Sequence, residues 1–81
     1  MTHVSDLHPQ LVQLDQQLMQ LLERRRQLCS ELRESGSSLS KDEESQILGQ
    51  WLEDAGEYEM DEVIIEKMNR LTQALCRKMG E

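Results

Sequence analysis

The stretch that decides the fold runs from Leu7 to Leu32 and reads LHPQLVQLDQQLMQLLERRRQLCSEL. Leucines recur in it at alternating steps of four and three residues, which is the spacing of one face of a long helix. The positions of this stripe are Leu7, Leu11, Leu14, Leu18, Leu21, Arg25, Leu28 and Leu32. Asp6 is placed to cap the helix, Pro9 falls in its first turn, and Gly36 is placed to end it. We therefore expect helix 1 over about residues 6–34.

Helix 1 is too long for a globule made of one such chain. Its roughly 28 residues span about 42 Å at 1.5 Å per residue, whereas a globule of this chain length has a diameter of about 30 Å. The 81 residues include 37% apolar residues, 2% aromatic residues and no Phe, which leaves few large side chains to close an interior. We therefore expect a homodimer in which a second copy of the chain covers part of helix 1.

A second helix begins after the serine-rich turn. Ser40 and Glu43 have the spacing of a capping box, in which each side chain binds the backbone N–H of the other residue. The apolar face that follows consists of Ile47, Leu48, Trp51, Leu52 and Ala55. Gly56 is placed to end the pattern, so we expect helix 2 over about residues 41–55.

A third helix follows a short acidic turn. Asp61 is placed to cap it, and its apolar stripe consists of Ile64, Met68, Leu71, Leu75 and Met79. We expect this helix over about residues 61–79. No segment has the alternation of a strand. The chain is thus predicted to be a single all-α domain over residues 1–81, with a long, a short and a medium helix.

The chain is acidic, with nine Lys and Arg against 16 Asp and Glu and a net charge of −7. This charge opposes the phosphate neutralisation on which nucleic-acid affinity depends, so we expect no nucleic-acid partner. No apolar run approaches the roughly 20 residues of a membrane span. The N-terminus also lacks the basic and apolar regions of a signal peptide. We therefore expect a cytoplasmic protein with no membrane partner.

Neither the cysteines nor the histidines have the spacing of a metal or redox site. Cys29 and Cys76 are too few and too far apart in the sequence to indicate a disulfide scaffold or a CxxC pair, so we expect free thiols that fill small spaces in the core. His3 and His8 have no partners at metal-ligand spacing. We expect no metal and no cofactor, and no spacing of Ser, His and Asp favours a catalytic triad.

Arg25 is the one charged residue in the leucine stripe of helix 1. Because removing an unpaired charge from water costs several kcal/mol, it needs an anion or a path to water. One interpretation is an internal ion pair or an arginine that reaches solvent at the edge of the bundle. The other is a ligand carboxylate, for which Arg33 and Lys41 are candidate second cations and Glu44 a candidate site residue. Surface charge for Arg33 and Lys41, and the helix dipole for Glu44, are sufficient explanations of these three residues and are the favoured ones.

Residues 14–28, LDQQLMQLLERRRQL, resemble the first helix of the all-helical (type II) chorismate mutases, in which a leucine-aspartate start and a leucine pair precede an arginine of the site. The order of helices agrees over most of residues 7–79. The resemblance implies an intertwined helical dimer that rearranges chorismate to prephenate. This pericyclic reaction requires no nucleophile or cofactor. The protein folds the dianion into a near-attack shape and stabilises charge on the ether oxygen.

Under this resemblance, Arg25 corresponds to the helix 1 arginine that grips a substrate carboxylate, and Glu44 to the glutamate at the start of helix 2. Three cationic residues of the family are not matched by a cationic residue in this chain. The arginine that reaches into the partner's site falls on His8, and the lysine near the end of helix 1 falls on Gly36 or is lost in a shortened turn. The arginine beside the helix 2 glutamate falls on Glu43.

The polar pair late in helix 3 of the family falls on Cys76 and Gly80 in an ungapped alignment, whereas a gapped one brings Gln73 and Arg77 towards the site. Two charges are lost and one is reversed in a site whose ligand carries two carboxylates. Since each good donor contributes a few kcal/mol to lowering the barrier, we expect a mutase-like fold with weak, altered or lost activity.

Two alternatives to an enzyme remain. The first is a non-catalytic helical dimer that acts as an adaptor or small chaperone, in which the acidic surface and exposed Met and Leu side chains serve a partner helix. The second is a coiled-coil fragment of a larger assembly, such as a secretion or flagellar chaperone. A small dicarboxylate that binds only the folded state distinguishes the mutase-like protein from both, because it raises the melting temperature.

Overall fold

A computed structural model describes residues 4–77, which form three α-helices and no strand. Helix α1 spans Val4–Glu34, α2 spans Lys41–Glu57 and α3 spans Glu62–Arg77. The all-helical prediction and the long first helix are confirmed. Over the described residues α2 has 17 residues, two more than predicted, and α3 has 16. The predicted end of helix 3 at residue 79 lies outside this range.

The start of α1 differs from the prediction. The helix is already formed at Val4, so Asp6 lies in its first turn instead of at the cap, and Pro9 lies inside the helix. The carboxylate of Asp6 still complements the positive end of the helix dipole. Pro9 lacks the N–H that would bond to the carbonyl of Ser5, a loss that costs less near a helix start than in the interior.

The end of α1 follows the prediction at Gly36. The backbone N–H of Ser37 donates to the carbonyl of Leu32 over 3.0 Å, and that of Gly36 donates to Arg33 over 2.9 Å. This pair of bonds is a Schellman motif, which requires a left-handed residue at its centre. Gly36 has φ of 83°, which a residue without Cβ adopts at little cost.

The capping box at the start of α2 is confirmed. The backbone N–H of Glu43 donates to the Ser40 hydroxyl over 3.1 Å, and the N–H of Ser40 donates to the Glu43 carboxylate over 2.9 Å. The second of these bonds, above all, lowers the pKa of Glu43 below its usual value. Its contribution to stability is therefore present at neutral pH and is lost as the pH falls through the pKa of the folded state.

The end of α2 was predicted wrongly at Gly56. The helix continues through Gly56 to Glu57, and the left-handed residue that ends it is Glu59, with φ of 57°. The N–H of Met60 donates to the carbonyl of Ala55 over 2.8 Å, and that of Glu59 to Gly56 over 3.3 Å. These bonds form a second Schellman motif around a residue that carries a Cβ, which makes this turn strained.

Helix α3 lies between the other two helices. Its predicted cap is confirmed, because Asp61 Oδ1 accepts from the N–H groups of Val63 and Ile64. Helix α3 packs against both α1 and α2, whereas no Cα atom of α1 lies within 8 Å of one in α2. Residues 5–21 of α1 are all exposed. The whole structure, α1 included, measures 51 × 27 × 16 Å. The N-terminal half of α1 therefore projects beyond the part of the protein that α2 and α3 form.

Helix α3 buries a polar face and exposes an apolar one. Asn69, Thr72 and Gln73 are buried, whereas Leu71 is 69% exposed. The other exposed large apolar residues of the helix are Val63, Ile64, Met68 and Leu75. Cys29 and Ala55 are the only buried apolar side chains among the described residues. A single chain therefore does not close an apolar core, and its uncovered apolar surface is of the kind that marks a contact with another molecule.

The expectation of free cysteines is wrong, because Cys29 and Cys76 form a disulfide between α1 and α3. Packing of the two helices brings the Cα atoms to 5.6 Å, within the usual range for a disulfide. Because the two cysteines are 47 residues apart in the sequence, their spacing did not indicate that they meet. A cross-link over such a loop typically stabilises a small domain by about 2–4 kcal/mol.

The backbone strain at Glu59, the left-handed residue that follows α2, can be tested by a substitution that relieves it. We expect Glu59→Gly to raise the melting temperature by about 4 °C or more, since a left-handed residue with a Cβ costs roughly 1 kcal/mol and each kcal/mol shifts the melting temperature of a small domain by about 4–8 °C. Glu57→Gly is the matched control, because it makes the same change in charge within the helix and should lower the melting temperature. Equal shifts for both variants in thermal denaturation would contradict the assigned turn.

Candidate functional site

A groove of about 470 Å³ runs between the first half of α2 and the second half of α3. A smaller cleft of about 220 Å³ lies beside it, against the end of α1 and the connection from α1 to α2. Glu44, Gln73 and Arg77 line both spaces. We refer to the two together as the α3 groove, because α3 forms a wall of each.

Cationic side chains are concentrated around the α3 groove. Its lining includes Arg33, Lys41, Arg70 and Arg77, whereas Glu44 is its only acidic side chain among residues 4–77. Four of the nine cationic residues of an acidic chain therefore meet at one place. Arg70 is paired with Glu66 and Arg77 with Glu44, so Arg33 and Lys41 are the cations of this cluster that form no ion pair among residues 4–77. An excess of positive charge of this kind attracts small anions.

Two buried amide side chains form the floor of the α3 groove. Asn69 is 3% and Gln73 is 4% exposed, and both line the groove from the same face of α3, four residues apart. The amide nitrogens Asn69 Nδ2 and Gln73 Nε2 have no hydrogen-bond partner among the described residues. A buried donor without a partner is costly, so an acceptor that reached either nitrogen would be favourable. Both nitrogens are themselves buried, although the two residues line the groove.

Arg25 lies behind the α3 groove, half-buried at the contact of α1 with α3. Its Nη2 donates to Gln73 Oε1 over 3.2 Å, and its Nη1 donates to the carbonyl of Thr72 over 3.5 Å. Because a guanidinium only donates, it fixes the oxygen of Gln73 towards α1 and leaves the amide nitrogen as the free donor. Arg25 does not line the groove itself but positions a residue that does.

Glu44, the candidate site residue of α2, pairs with Arg77 of α3. Arg77 Nη2 lies 2.7 Å from Glu44 Oε2, which links α2 to α3 across the α3 groove. The Arg77 side chain is 64% exposed. Exposed pairs of this kind contribute about 0–1 kcal/mol, so a ligand anion can compete for Arg77 at little cost.

The two candidate second cations have different environments. Arg33 donates through Nη2 to the carbonyls of Cys76 and Arg77, which ties α1 to α3. Lys41 lines the groove from the start of α2 and forms no ion pair within residues 4–77. Among the same residues, neither side chain bonds to Gln73, and neither shares a hydrogen-bond partner with Arg25. Lys41 is therefore the cation best placed to receive a ligand.

Three positions that depart from the chorismate mutase pattern, His8, Gly36 and Glu43, do not line the groove. His8 is exposed on the projecting half of α1, Gly36 ends α1, and Glu43 caps α2. Cys76 is held in the disulfide, and Gly80 lies outside the described residues. Of the two alignments of the α3 polar pair, the gapped one names two residues that line the groove, Gln73 and Arg77.

Sequence reasoning missed two residues of the groove, Arg70 and Asn69. Of these, Asn69 is part of the floor. It lies four residues before Gln73, so the two amides form a polar pair at helical spacing within the apolar pattern of α3. That spacing is a signal which was available in the sequence.

Comparisons of the chain with protein-family models, with curated proteins and with solved structures find no match. Within the part of the chain that the structure describes, no three His, Cys, Asp or Glu side chains are grouped to hold a metal ion. No helix there combines the length and the apolarity needed to cross a bilayer. The arrangement of the α3 groove is therefore the basis for assigning a function.

A substitution of Asn69 tests whether the floor of the groove is built for a ligand. We expect Asn69→Ala to raise the melting temperature of the ligand-free protein by about 4 °C or more, because it removes an unpaired buried donor and improves helix propensity. Thr72→Ala is the control, since it gains similar propensity but loses the bond from its hydroxyl to Met68. If differential scanning calorimetry shows Asn69→Ala to be the less stable of the two, the Asn69 amide is satisfied within the protein.

Proposed function

We propose that this chain is a chorismate-mutase-like helical protein that binds a small dicarboxylate in the α3 groove, with a weak, altered or lost rearrangement activity. The observation that carries the proposal is the pair of unpartnered amide donors of Asn69 and Gln73 beneath a cationic rim. A dicarboxylate satisfies both features, since its charges match the rim and its neutral oxygens match the amides.

The side chains of the α3 groove have separate roles in this proposal. Lys41, Arg70 and Arg77 meet the carboxylates through charge-assisted hydrogen bonds. The amides of Asn69 and Gln73 donate to the ether oxygen, on which negative charge develops as the substrate rearranges. The rearrangement needs only this stabilisation and a folded substrate, so no nucleophile or cofactor is required.

Arg25 acts in this proposal as a positioning residue. The 3.2 Å bond from its guanidinium holds the Gln73 side chain in one orientation. A preorganised donor stabilises developing charge without rearranging during the reaction. The sequence resemblance, in contrast, implies direct contact of Arg25 with a carboxylate, which would require Gln73 to move.

Low activity is expected because cations are missing where the resembling family has them. His8, Gly36 and Glu43 occupy those places, and Glu43 is committed to the capping box. Loss of one good donor typically costs about 3–4 kcal/mol of barrier, and the losses here are several. The groove is thus better supported as a binding site than as an efficient catalyst.

We further infer that the protein is a homodimer through α1. The leucines of the projecting half, Leu7, Leu11, Leu14 and Leu18, are 45–59% exposed and lie on one face. The stripe belongs to a helix of 31 residues, or about 46 Å, which the other two helices leave largely uncovered. A second copy supplies a matching stripe in a two-fold arrangement.

A non-catalytic adaptor or small chaperone is the second candidate. The exposed apolar side chains of α3 support it, since Ile64, Leu71 and Leu75 lie on a different helix from the α1 stripe. An amphipathic partner helix docks on a surface of this kind. In that case the α3 groove has no small ligand.

The dimer is tested by sedimentation. At micromolar concentration we expect about twice the chain mass of 9.5 kDa. The double variant Leu14→Asp and Leu18→Asp should sediment as a monomer, because it places charges in the stripe. Gln16→Asp with Gln20→Asp is the matched control on the opposite face of α1 and should remain dimeric. A fully helical monomer of the unaltered chain would refute the inference.

The ligand is tested by thermal shift. Chorismate and a stable bicyclic mimic of the transition state should raise the melting temperature, and Arg25→Leu should abolish the rise while leaving the unliganded protein folded. Arg24→Leu is the matched control, because Arg24 is exposed and makes no hydrogen bond among residues 4–77. No rise with either compound would contradict dicarboxylate binding.

Activity is tested by the ultraviolet absorbance of chorismate. We expect turnover below about 1 s⁻¹, the lower end of the ordinary range for enzymes. Faster turnover would show that Lys41, Arg70 or other cations replace the missing charges fully.

A further inference from the structure

We propose that the Cys29–Cys76 disulfide is a redox-sensitive clamp that sets the anion affinity of the α3 groove; this inference rests on the proposed ligand binding in that groove. The disulfide forms part of the wall of the site. Cys29 and Cys76 both line the smaller cleft, together with Gln73 and Arg77. The bond therefore lies at the ligand site and not at a remote edge of the fold.

The disulfide lies one helical turn from the hydrogen bond that orients the floor of the groove. Cys29 follows Arg25 by four residues on α1, and Cys76 follows Gln73 by three on α3. Residues at these spacings share a helix face. The covalent bond and the bond from Arg25 to Gln73 thus hold the same two faces together.

Few other interactions hold α1 to the body. Cys29 is the only buried apolar side chain of α1 among the described residues. The polar links are those of Arg25 to Thr72 and Gln73 and those of Arg33 to the carbonyls of Cys76 and Arg77. No Cα atom of α1 lies within 8 Å of one in α2, so loss of the disulfide leaves the position of α1 against α3 to these hydrogen bonds and to the half-buried Leu22 and Leu32.

The disulfide is open to reduction from the cleft. Cys76 is half-buried, and the cationic Arg33 and Arg77 line the same space. A dithiol reductant attacks one sulfur and breaks the S–S bond, and nearby positive charge stabilises the thiolate that leaves. The full reaction transfers two electrons and two protons to the protein, which gives two thiols, and the reductant becomes a disulfide.

The disulfide is proposed to strengthen ligand binding, because it holds the site in its binding geometry before the ligand arrives. In the oxidised chain, Gln73 is held with its amide nitrogen free for a ligand. In the reduced chain, α1 can shift along α3, so part of the binding free energy is used to restore that geometry. Affinity is therefore high under oxidising conditions and low in a thiol-reducing compartment such as the predicted cytoplasm.

The test compares the full chain in its oxidised and dithiothreitol-reduced states. Isothermal titration with the bicyclic dicarboxylate mimic should show at least tenfold weaker binding after reduction, and reoxidation should restore the affinity. The double variant Cys29→Ser and Cys76→Ser should bind as weakly as the reduced chain, with no response to dithiothreitol. Circular dichroism should show that helicity is retained in each state.

The outcomes separate this proposal from the proposed function. Equal affinity in both redox states overturns the clamp and leaves ligand binding intact, whereas no binding in either state overturns both. Loss of helicity on reduction overturns the clamp as well, since the disulfide is then only a structural cross-link. Two alkylatable thiols after treatment with oxidised glutathione would have the same consequence, because no clamp forms.

Discussion

The contact between α1 and α3 is the constraint on which the rest of the structure depends. No Cα atom of α1 lies within 8 Å of one in α2, so the 31-residue helix is held to α3 alone, through its C-terminal half. That contact includes a disulfide and the hydrogen bonds of Arg25 and Arg33, and Cys29 is its one fully buried apolar side chain on α1 among the described residues. Its polar character explains why the joint can also orient a binding site, because the same guanidinium that links the helices fixes Gln73.

The inverted faces of α3 explain why the chain is incomplete alone. Helix α3 buries Asn69 and Gln73 and leaves Leu71 exposed. This is the reverse of the distribution that the hydrophobic effect favours. Two unsatisfied amides and an uncovered apolar face lower the stability of the isolated chain. A ligand relieves the first cost and a second protein surface relieves the other, so both proposed interactions follow from one helix. Sites that break the rules of stable packing are those expected to serve function.

Local features of the fold were predictable, and features that depend on packing were not. Ser40 and Gly36 act on residues within five positions, so their roles follow from the sequence. Glu59 was missed because glycine is the usual residue at a left-handed helix end, and the chain uses a glutamate there. The pairing of Cys29 depends on how α1 meets α3, which periodicity does not determine. Asn69 was missed because its burial depends on which face of α3 turns inward.

The central claim is that the Asn69 and Gln73 amides are ligand donors of the α3 groove. Asn69 is the only asparagine in the chain, so selective ¹⁵N labelling of asparagine gives a single side-chain amide pair in a nuclear magnetic resonance spectrum. Titration of the oxidised protein with the bicyclic dicarboxylate mimic should shift that pair downfield and to saturation, as expected when a free N–H gains a hydrogen-bond acceptor. A resonance that stays in place while the ligand reaches millimolar concentration would contradict the account.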